Sequence, residues 1–246
     1  MNSIVILLTG TIQPVNVHQL ALTSPQKREQ EYLNAIKKWT QLGYPVIFCE
    51  NSNYDSQLIN DFVNSIDDGL FEYLKFDTRA SYLGKGNGEA EIIDYVFNNS
   101  KLIKDDTIIC KATGKNFISN AKKLLTKIRL PKYSDKIIIA NLTRKLTWAD
   151  SRLYFFKKEF YYNYWLSYAK YIDEPNKIFF EHVLAKSIHA LLATNDKCYK
   201  WDMLPYPPIL EGYSGTFAKK YANNIFLTFF QKAFHSVKIK MFSTSK

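Results

Sequence analysis

Residues 75–117, KFDTRASYLGKGNGEAEIIDYVFNNSKLIKDDTIICKATGKNF, decide the fold. A glycine-rich turn, Gly84-Lys85-Gly86-Asn87-Gly88-Glu89, leads into an amphipathic stretch carrying Ile92, Ile93, Val96 and Phe97. A β-branched run at 107–110 (TIIC) follows and ends in Lys111-Ala112-Thr113-Gly114-Lys115. Flexible, basic, polar ends on apolar elements are what an α/β protein uses to hold an anionic ligand.

Working outward, residues 4–8 form a continuous apolar strand ended by Thr9-Gly10-Thr11. Pro14 and Pro25 bracket a polar connection, and Ser24 with Pro25 reads as an N-cap followed by the first helical position. The segment 25–42 places Tyr32, Leu33, Ile36 and Trp39 at helical spacing, and Gly43 closes it where a left-handed residue is needed. A second strand at 46–49 ends in Glu50-Asn51-Ser52-Asn53. A short helix at 56–66, a strand at 71–76, a helix near 89–99, a strand at 107–110 and another at 136–140 complete the series. Buried strands alternating with helices over the first 145 or so residues predict a Rossmann-like, mostly parallel sheet flanked by helices.

After about residue 150 the texture becomes aromatic. Leu153-Tyr154-Phe155-Phe156 and the 160–171 segment precede a helix-like stretch at 178–192, and Pro205, Pro207 and Pro208 then interrupt regular structure. Residues 212–246 contain six lysines and no acidic residue, with apolar positions on one side of a helix. The chain therefore divides into a main domain, 1–211, and a basic amphipathic tail, 212–246.

The 246 residues are 46% hydrophobic, enough for a substantial core and against intrinsic disorder. A formal charge of +10 suits a phosphorylated ligand, an anionic lipid surface or nucleic acid. Zinc-finger spacing, an RNP-like signature and a helix-turn-helix are all missing, so no nucleic-acid partner is expected. Cys49, Cys110 and Cys198 are far apart and odd in number, which points to a reducing cytoplasm. The N-terminal apolar run is short and lacks a basic start, and no run is long enough to span a bilayer. The basic tail offers a peripheral contact with an anionic membrane.

In open α/β sheets the ligand lies beyond the carboxyl ends of the strands. Those ends carry Thr9-Gly10-Thr11, Glu50-Asn51, Asp77-Thr78-Arg79 and Lys111 to Lys115. Thr9, Gly10, Thr11, Glu50, Asn51, Arg79, Lys85, Gly86, Glu89, Lys111, Thr113, Lys115 and Arg152 are thus candidate ligand-binding residues. The turn GKGNGE matches neither a P-loop nor GxGxxG. Glu89 suits sugar hydroxyls or a helix start. Asp105-Asp106 precedes its strand and lies at the wrong end, so no plain Asp-x-Asp marks a metal site. A divalent metal stays possible, and lysine charge could replace it at a departing diphosphate. Glu181 or Asp150 could deprotonate an acceptor hydroxyl, and His182, Lys186 and His189 share a helical side.

Four pieces, ILLTGTIQP, FCENS, LGKGNGEAEIIDYVFNNS…IICKATGKNF and DSRLYFFKKEF with FFEHVLAKSI, resemble bacterial GT-A type glycosyltransferases of capsular polysaccharide and lipopolysaccharide O-antigen synthesis. Small galactosyl- or galactofuranosyltransferases look closest. The resemblance implies a hexosyltransferase using a nucleoside diphosphate sugar, with UDP as the expected carrier and a glycan or lipid-linked glycan as acceptor. It puts Thr9, Gly10, Glu50, Lys85 and Lys111 around the donor and Glu181 on the acceptor side. Two alternatives stand beside it: a non-catalytic carbohydrate- or nucleotide-binding protein, and a sugar nucleotidyltransferase. The latter wants basic residues straight after the first strand, and residues 9–14 contain none.

Overall fold

The computed structural model describes residues 3–14, 24–66, 69–194 and 200–212, together with 235 and 237. The 212–246 tail therefore lies outside the described residues apart from Gly212, His235 and Val237. In chain order the elements begin with β1 (Ile4–Gly10), α1 (Pro25–Thr40), β2 (Val46–Glu50), α2 (Gln57–Asn64), β3 (Phe71–Lys75) and α3 (Lys85–Asn99). There follow β4 (Ile108–Thr113), β5 (Phe117–Ile118), α4 (Ala121–Ile128), β6 (Ile138–Ile139), β7 (Leu142–Thr143) and β8 (Trp148–Ala149). The last are β9 (Leu153–Phe156), α5 (Lys158–Phe160), α6 (Leu166–Ala169), α7 (Phe180–Leu192), β10 (Trp201–Asp202) and β11 (Leu210–Glu211), with a π-helical turn, Tyr161–Trp165, joining α5 to α6.

Seven strands form one sheet in the order β10-β6-β9-β4-β1-β2-β3. All neighbours are parallel except β9, which runs antiparallel between β4 and β6. The fold is the Rossmann-like α/β sandwich expected from the alternating pattern. Every residue of β1 is buried, because alternate side chains enter two different cores. Ile4, Ile6 and Leu8 pack with Tyr32, Ile36 and Trp39 of α1 and with Leu124 and Leu125 of α4. Val5 and Leu7 pack on the opposite side with Ile92, Ile93 and Val96 of α3 and Val183, Leu184 and Ile188 of α7.

Three boundaries differ from expectation. β4 continues through Thr113 instead of stopping at Cys110, because its ladder is paired on both sides, to β1 and to β9. Lys111 and Thr113 are therefore strand residues, not turn residues. α3 starts at Lys85, so Gly86 and Gly88 lie in its first turn. The sheet also takes strands from beyond residue 150: β9 and β10 are members, whereas it was expected to close within the first 145 residues. Gly43 does hold a left-handed φ of 75° just past α1. Among the described residues no helix is long and apolar enough to cross a membrane.

Candidate functional site at the carboxyl edge of the sheet

The parallel strands β1, β2 and β4 end together, and their loops are tied into one surface. Gly114 N–H donates to the Thr9 carbonyl at 2.9 Å, and a Cβ on Gly114 would come 2.6 Å from that oxygen. Only glycine permits that crossing. Thr11 Oγ1 donates to Asn51 Oδ1 at 2.6 Å, and Asn51 Nδ2 reaches the Gly88 carbonyl in α3 at 3.4 Å. Thr9 Oγ1 donates to Glu89 Oε1 at 3.4 Å. Glu50 is fully buried and accepts from Ile12 N–H, Ser52 N–H and Oγ, and Tyr54 N–H at 2.5–3.3 Å. Its carboxylate fixes the loops after β1 and β2. Burial pushes its pKa up while those hydrogen bonds oppose the shift.

Lys111 is wholly enclosed. Its ammonium pairs with Glu89, donates to the Ser151 carbonyl at 2.7 Å, and lies 5.6 and 5.8 Å from the Tyr154 and Phe180 rings. Burial pulls its pKa down, with the Glu181 and Asp150 carboxylates opposing. The contact with Glu89 favours the ammonium form. Ser151 Oγ donates to Glu181 Oε1 at 2.8 Å, so Thr9, Glu89, Lys111, Ser151 and Glu181 form one network. Asp150 is held in a two-point contact by Arg152, Nε to Oδ1 at 2.8 Å and Nη2 to Oδ2 at 2.7 Å. Thr113 N–H bonds the Arg152 carbonyl at 3.3 Å. Arg79 is exposed and anchored through its backbone N–H to Glu91, which also takes the Thr78 hydroxyl. Among the described residues no interaction places its side chain on the Lys111 network.

The glycine turn holds an anion that belongs to the chain itself. Lys85 N–H and Gly86 N–H donate to the two oxygens of Glu174 at 3.0 and 2.6 Å. Gly84 has a φ of 143°, and a Cβ there would lie 2.3 Å from Glu174 Oε2. Glycine is what lets the carboxylate approach. Sequence reading had no signal for Glu174, which stands 88 positions beyond Gly86.

Arg28 was also missed. It sits in the first turn of α1, where the helix dipole disfavours a cation, and that misplacement was the available signal. Its Nε donates to the Thr11 carbonyl at 2.7 Å and its Nη2 to the Tyr32 hydroxyl at 3.1 Å. Lys85 and Lys115 lie close enough to feel it. Burial lowers both lysine pKa values first; Glu174 and Glu31 respectively pull them back up, and Arg28 pushes both down. Lys115 is lowered further by Lys85. Arg28 thus stands against the loop after β1, with Lys85 and Lys115 within its electrostatic reach. The backbone N–H groups of residues 11–13 are already taken by Tyr32, Glu50 and Ser52.

Across the edge, β7 and β8 form a hairpin beside α7. Its turn holds Arg144, Lys145 and Leu146 at φ of 48°, 57° and 69°, a left-handed run that costs about 1 kcal/mol or more per residue. Bonds from Thr147 N–H and Oγ1 to the Arg144 carbonyl, and His189 Nε2 against the Leu146 carbonyl at 2.8 Å, hold it. His182 takes the Phe179 N–H on Nδ1, and the Lys186 ammonium lies over Tyr171. His182, Lys186 and His189 therefore serve separate partners. Among the described residues no group of three or more His, Cys, Asp or Glu could hold a metal ion.

No family profile matches the chain, and no curated protein does. Among solved structures, a 4-diphosphocytidyl-2C-methyl-D-erythritol synthase from Anaerococcus prevotii is 11% identical, covering 96% of each chain, with a TM-score of 0.42. HddC from Yersinia pseudotuberculosis is 14% identical over 65% of this chain and 78% of its own, with a TM-score of 0.31. A cytidylyltransferase from Leptospira borgpetersenii is 12% identical over the whole of both chains, with a TM-score of 0.38. Likenesses this distant assign no activity. They do correct the expected family: two of the three are named for cytidylyl chemistry, and none is named as a glycosyltransferase of capsule or O-antigen synthesis. The hexosyltransferase reading is withdrawn, and with it the task given to Glu181 and Asp150 of deprotonating a sugar hydroxyl.

Proposed function

We propose that this protein transfers a nucleotidyl group from a nucleoside triphosphate to a phosphorylated, sugar-like acceptor at the carboxyl edge of the sheet. The observation that carries this reading is Arg28. Nucleotidyl transfer asks for positive charge beside the loop that follows the first strand, and residues 9–14 supply none. Arg28 supplies it from α1 through its bond to the Thr11 carbonyl, and Lys85 and Lys115 add two further charges. The amides of residues 11–13 are already engaged, and Arg28 is buried with its Nε and Nη2 on Thr11 and Tyr32. Lys85 and Lys115 are therefore the cations that would meet a triphosphate, while Arg28 backs the loop with its charge.

In the reaction an oxygen of the acceptor phosphate attacks the α-phosphorus in line. One P–O bond forms as the bond to the β-phosphate breaks, and pyrophosphate leaves. The acceptor phosphate is already anionic, so no side chain has to remove a proton. Catalysis is then positioning plus compensation of the charge that builds on the leaving pyrophosphate, which falls to Arg28, Lys85 and Lys115.

The test is pyrophosphate release by the full chain with magnesium, each common nucleoside triphosphate, and a panel of sugar and polyol phosphates. Acceptor-dependent release with at least one nucleotide is expected. Arg28→Ala should lower kcat/KM by roughly 10²-fold, and Arg28→Lys should recover part of it. Failure of every nucleoside triphosphate to bind by calorimetry would sink the reading. Tight binding without turnover would reduce it to a nucleotide-binding protein.

A further inference from the structure

The β7–β8 hairpin has a use that the nucleotide half of the site leaves open. Its turn rests beside His189, and Trp148, the first residue of β8 after the turn, packs against His182, with centroids 4.8 Å apart, and Phe179, at 5.9 Å. The two histidines stand seven positions apart on α7, about 10 Å along the helix. The Arg144 guanidinium nevertheless lies 4.0 Å from the Trp148 ring. Through Trp148, which packs on Phe179 and His182, it lies on the side of the start of α7, where Glu181 meets Ser151 and the Lys111 network.

The left-handed run at 144–146 that carries Arg144 is fastened: Thr143 Oγ1 donates to the Trp148 carbonyl, Thr147 closes on Arg144, and His189 meets Leu146. Arg144 and Lys145 are exposed, and among the described residues neither has a carboxylate within ion-pair distance. The nearest acidic side chains along the chain and on α7 are already engaged, Asp150 by Arg152 and Glu181 by Ser151. Asp150 N–H bonds the Asn141 carbonyl at 3.0 Å, so the base of the hairpin is part of the loop that carries Ser151.

We propose that Arg144, set on Trp148, is the binding site for the phosphate monoester of the acceptor, with the indole offering an apolar face to the attached sugar or polyol. This rests on the nucleotidyl-transfer reading and deepens it by assigning the second substrate to the β8–α7 side of the edge, across from Arg28. A guanidinium set over a ring can keep its outer N–H groups for two-point contact with phosphate, and an exposed cation with no carboxylate partner loses no ion pair on binding. Lys145 adds charge at the rim.

Titration of the full chain with inorganic phosphate, α-D-glucose 1-phosphate and glucose, followed by tryptophan fluorescence, tests this directly. Trp39 and Trp165 are buried, whereas Trp148 and Trp201 are both partly exposed, so the titration is repeated in a Trp201→Phe background, which leaves Trp148 as the chief reporter. Both phosphates should quench, and glucose 1-phosphate should bind more tightly than inorganic phosphate. Arg144→Gln should weaken both by about ten-fold or more, and Arg144→Lys by less, because lysine keeps the charge and loses the two-point fork. Nucleoside triphosphate affinity, measured separately, should stay within about two-fold. Phosphate binding that is unchanged in Arg144→Gln, or absent from the wild-type protein while nucleotide still binds, overturns the site and spares the reading. If no nucleotide binds, the reading fails, and an Arg144-dependent phosphate response would still establish the anion site.

Discussion

At Lys111 a residue type common on surfaces is enclosed on every side, and its surroundings account for that. The Glu89 carboxylate, the Ser151 carbonyl and two aromatic rings replace the water it gave up. Lys111→Met should strand Glu89, itself about four-fifths buried, and lower the unfolding free energy by about 2–3 kcal/mol in urea denaturation. The double variant Lys111→Met/Glu89→Gln should recover most of that loss, because the leftover carboxylate charge is gone. Recovery of nothing would mean that the pair is not the source of the effect. Lys85 and Lys115 behave differently. Their pKa values are held below the usual lysine range by burial, then by neighbouring cations. A bound triphosphate favours the charged lysines and raises those values, so binding should take up protons at alkaline pH. Affinity should fall as pH rises through the depressed values of the free protein. Calorimetry in buffers of different ionisation enthalpy reads this uptake, and its absence would separate the two lysines from the phosphates.

Among the elements, the start of α3 depends most on a distant partner. Glycine is a poor helix residue, so GKGNGE reads as a turn and the helix is expected only from residue 89. Glu174 reverses this by accepting the Lys85 and Gly86 N–H groups, which otherwise lack intrahelical partners. Gly84→Ala should destabilise the protein by about 2 kcal/mol or more, since its φ of 143° and the carboxylate at 2.3 Å both oppose a side chain. Gly43→Ala, which also has positive φ but meets nothing within 4 Å, should cost less. Equal losses in the two variants would remove Glu174 from the explanation. α1 is the opposite case: Pro25 at its start and Gly43 beyond its end were legible because both signals are local.

On the scale of the whole molecule, the formal charge of +10 adds a long-range field to Arg28, Lys85 and Lys115 at the carboxyl edge. Raising sodium chloride from about 50 to 500 mM should weaken triphosphate binding by about ten-fold or more, through screening. Salt-independent binding would mean that the phosphates are not met by these cations.

Continuous apolar runs at 4–8, 46–49 and 107–110, with amphipathic stretches between them, determined the parallel half of the sheet and the edge at which a ligand would sit. That half was legible because a strand buried on both faces must be apolar throughout, and a helix covering it must be apolar on one side. The remainder depended on contacts distant in sequence. Whether Leu153–Phe156 joins the sheet antiparallel between β4 and β6 depends on which strand edges are free once the others have paired. Whether Lys111 faces a ligand or a buried carboxylate depends on α3 and the 150–152 loop meeting over β4. The cation beside Thr11 comes from Arg28, 17 positions along the chain, and the anion on the glycine turn from Glu174, 88 positions beyond Gly86. Local pattern fixes which faces must be buried; only the folded chain brings together the charged groups that those faces carry.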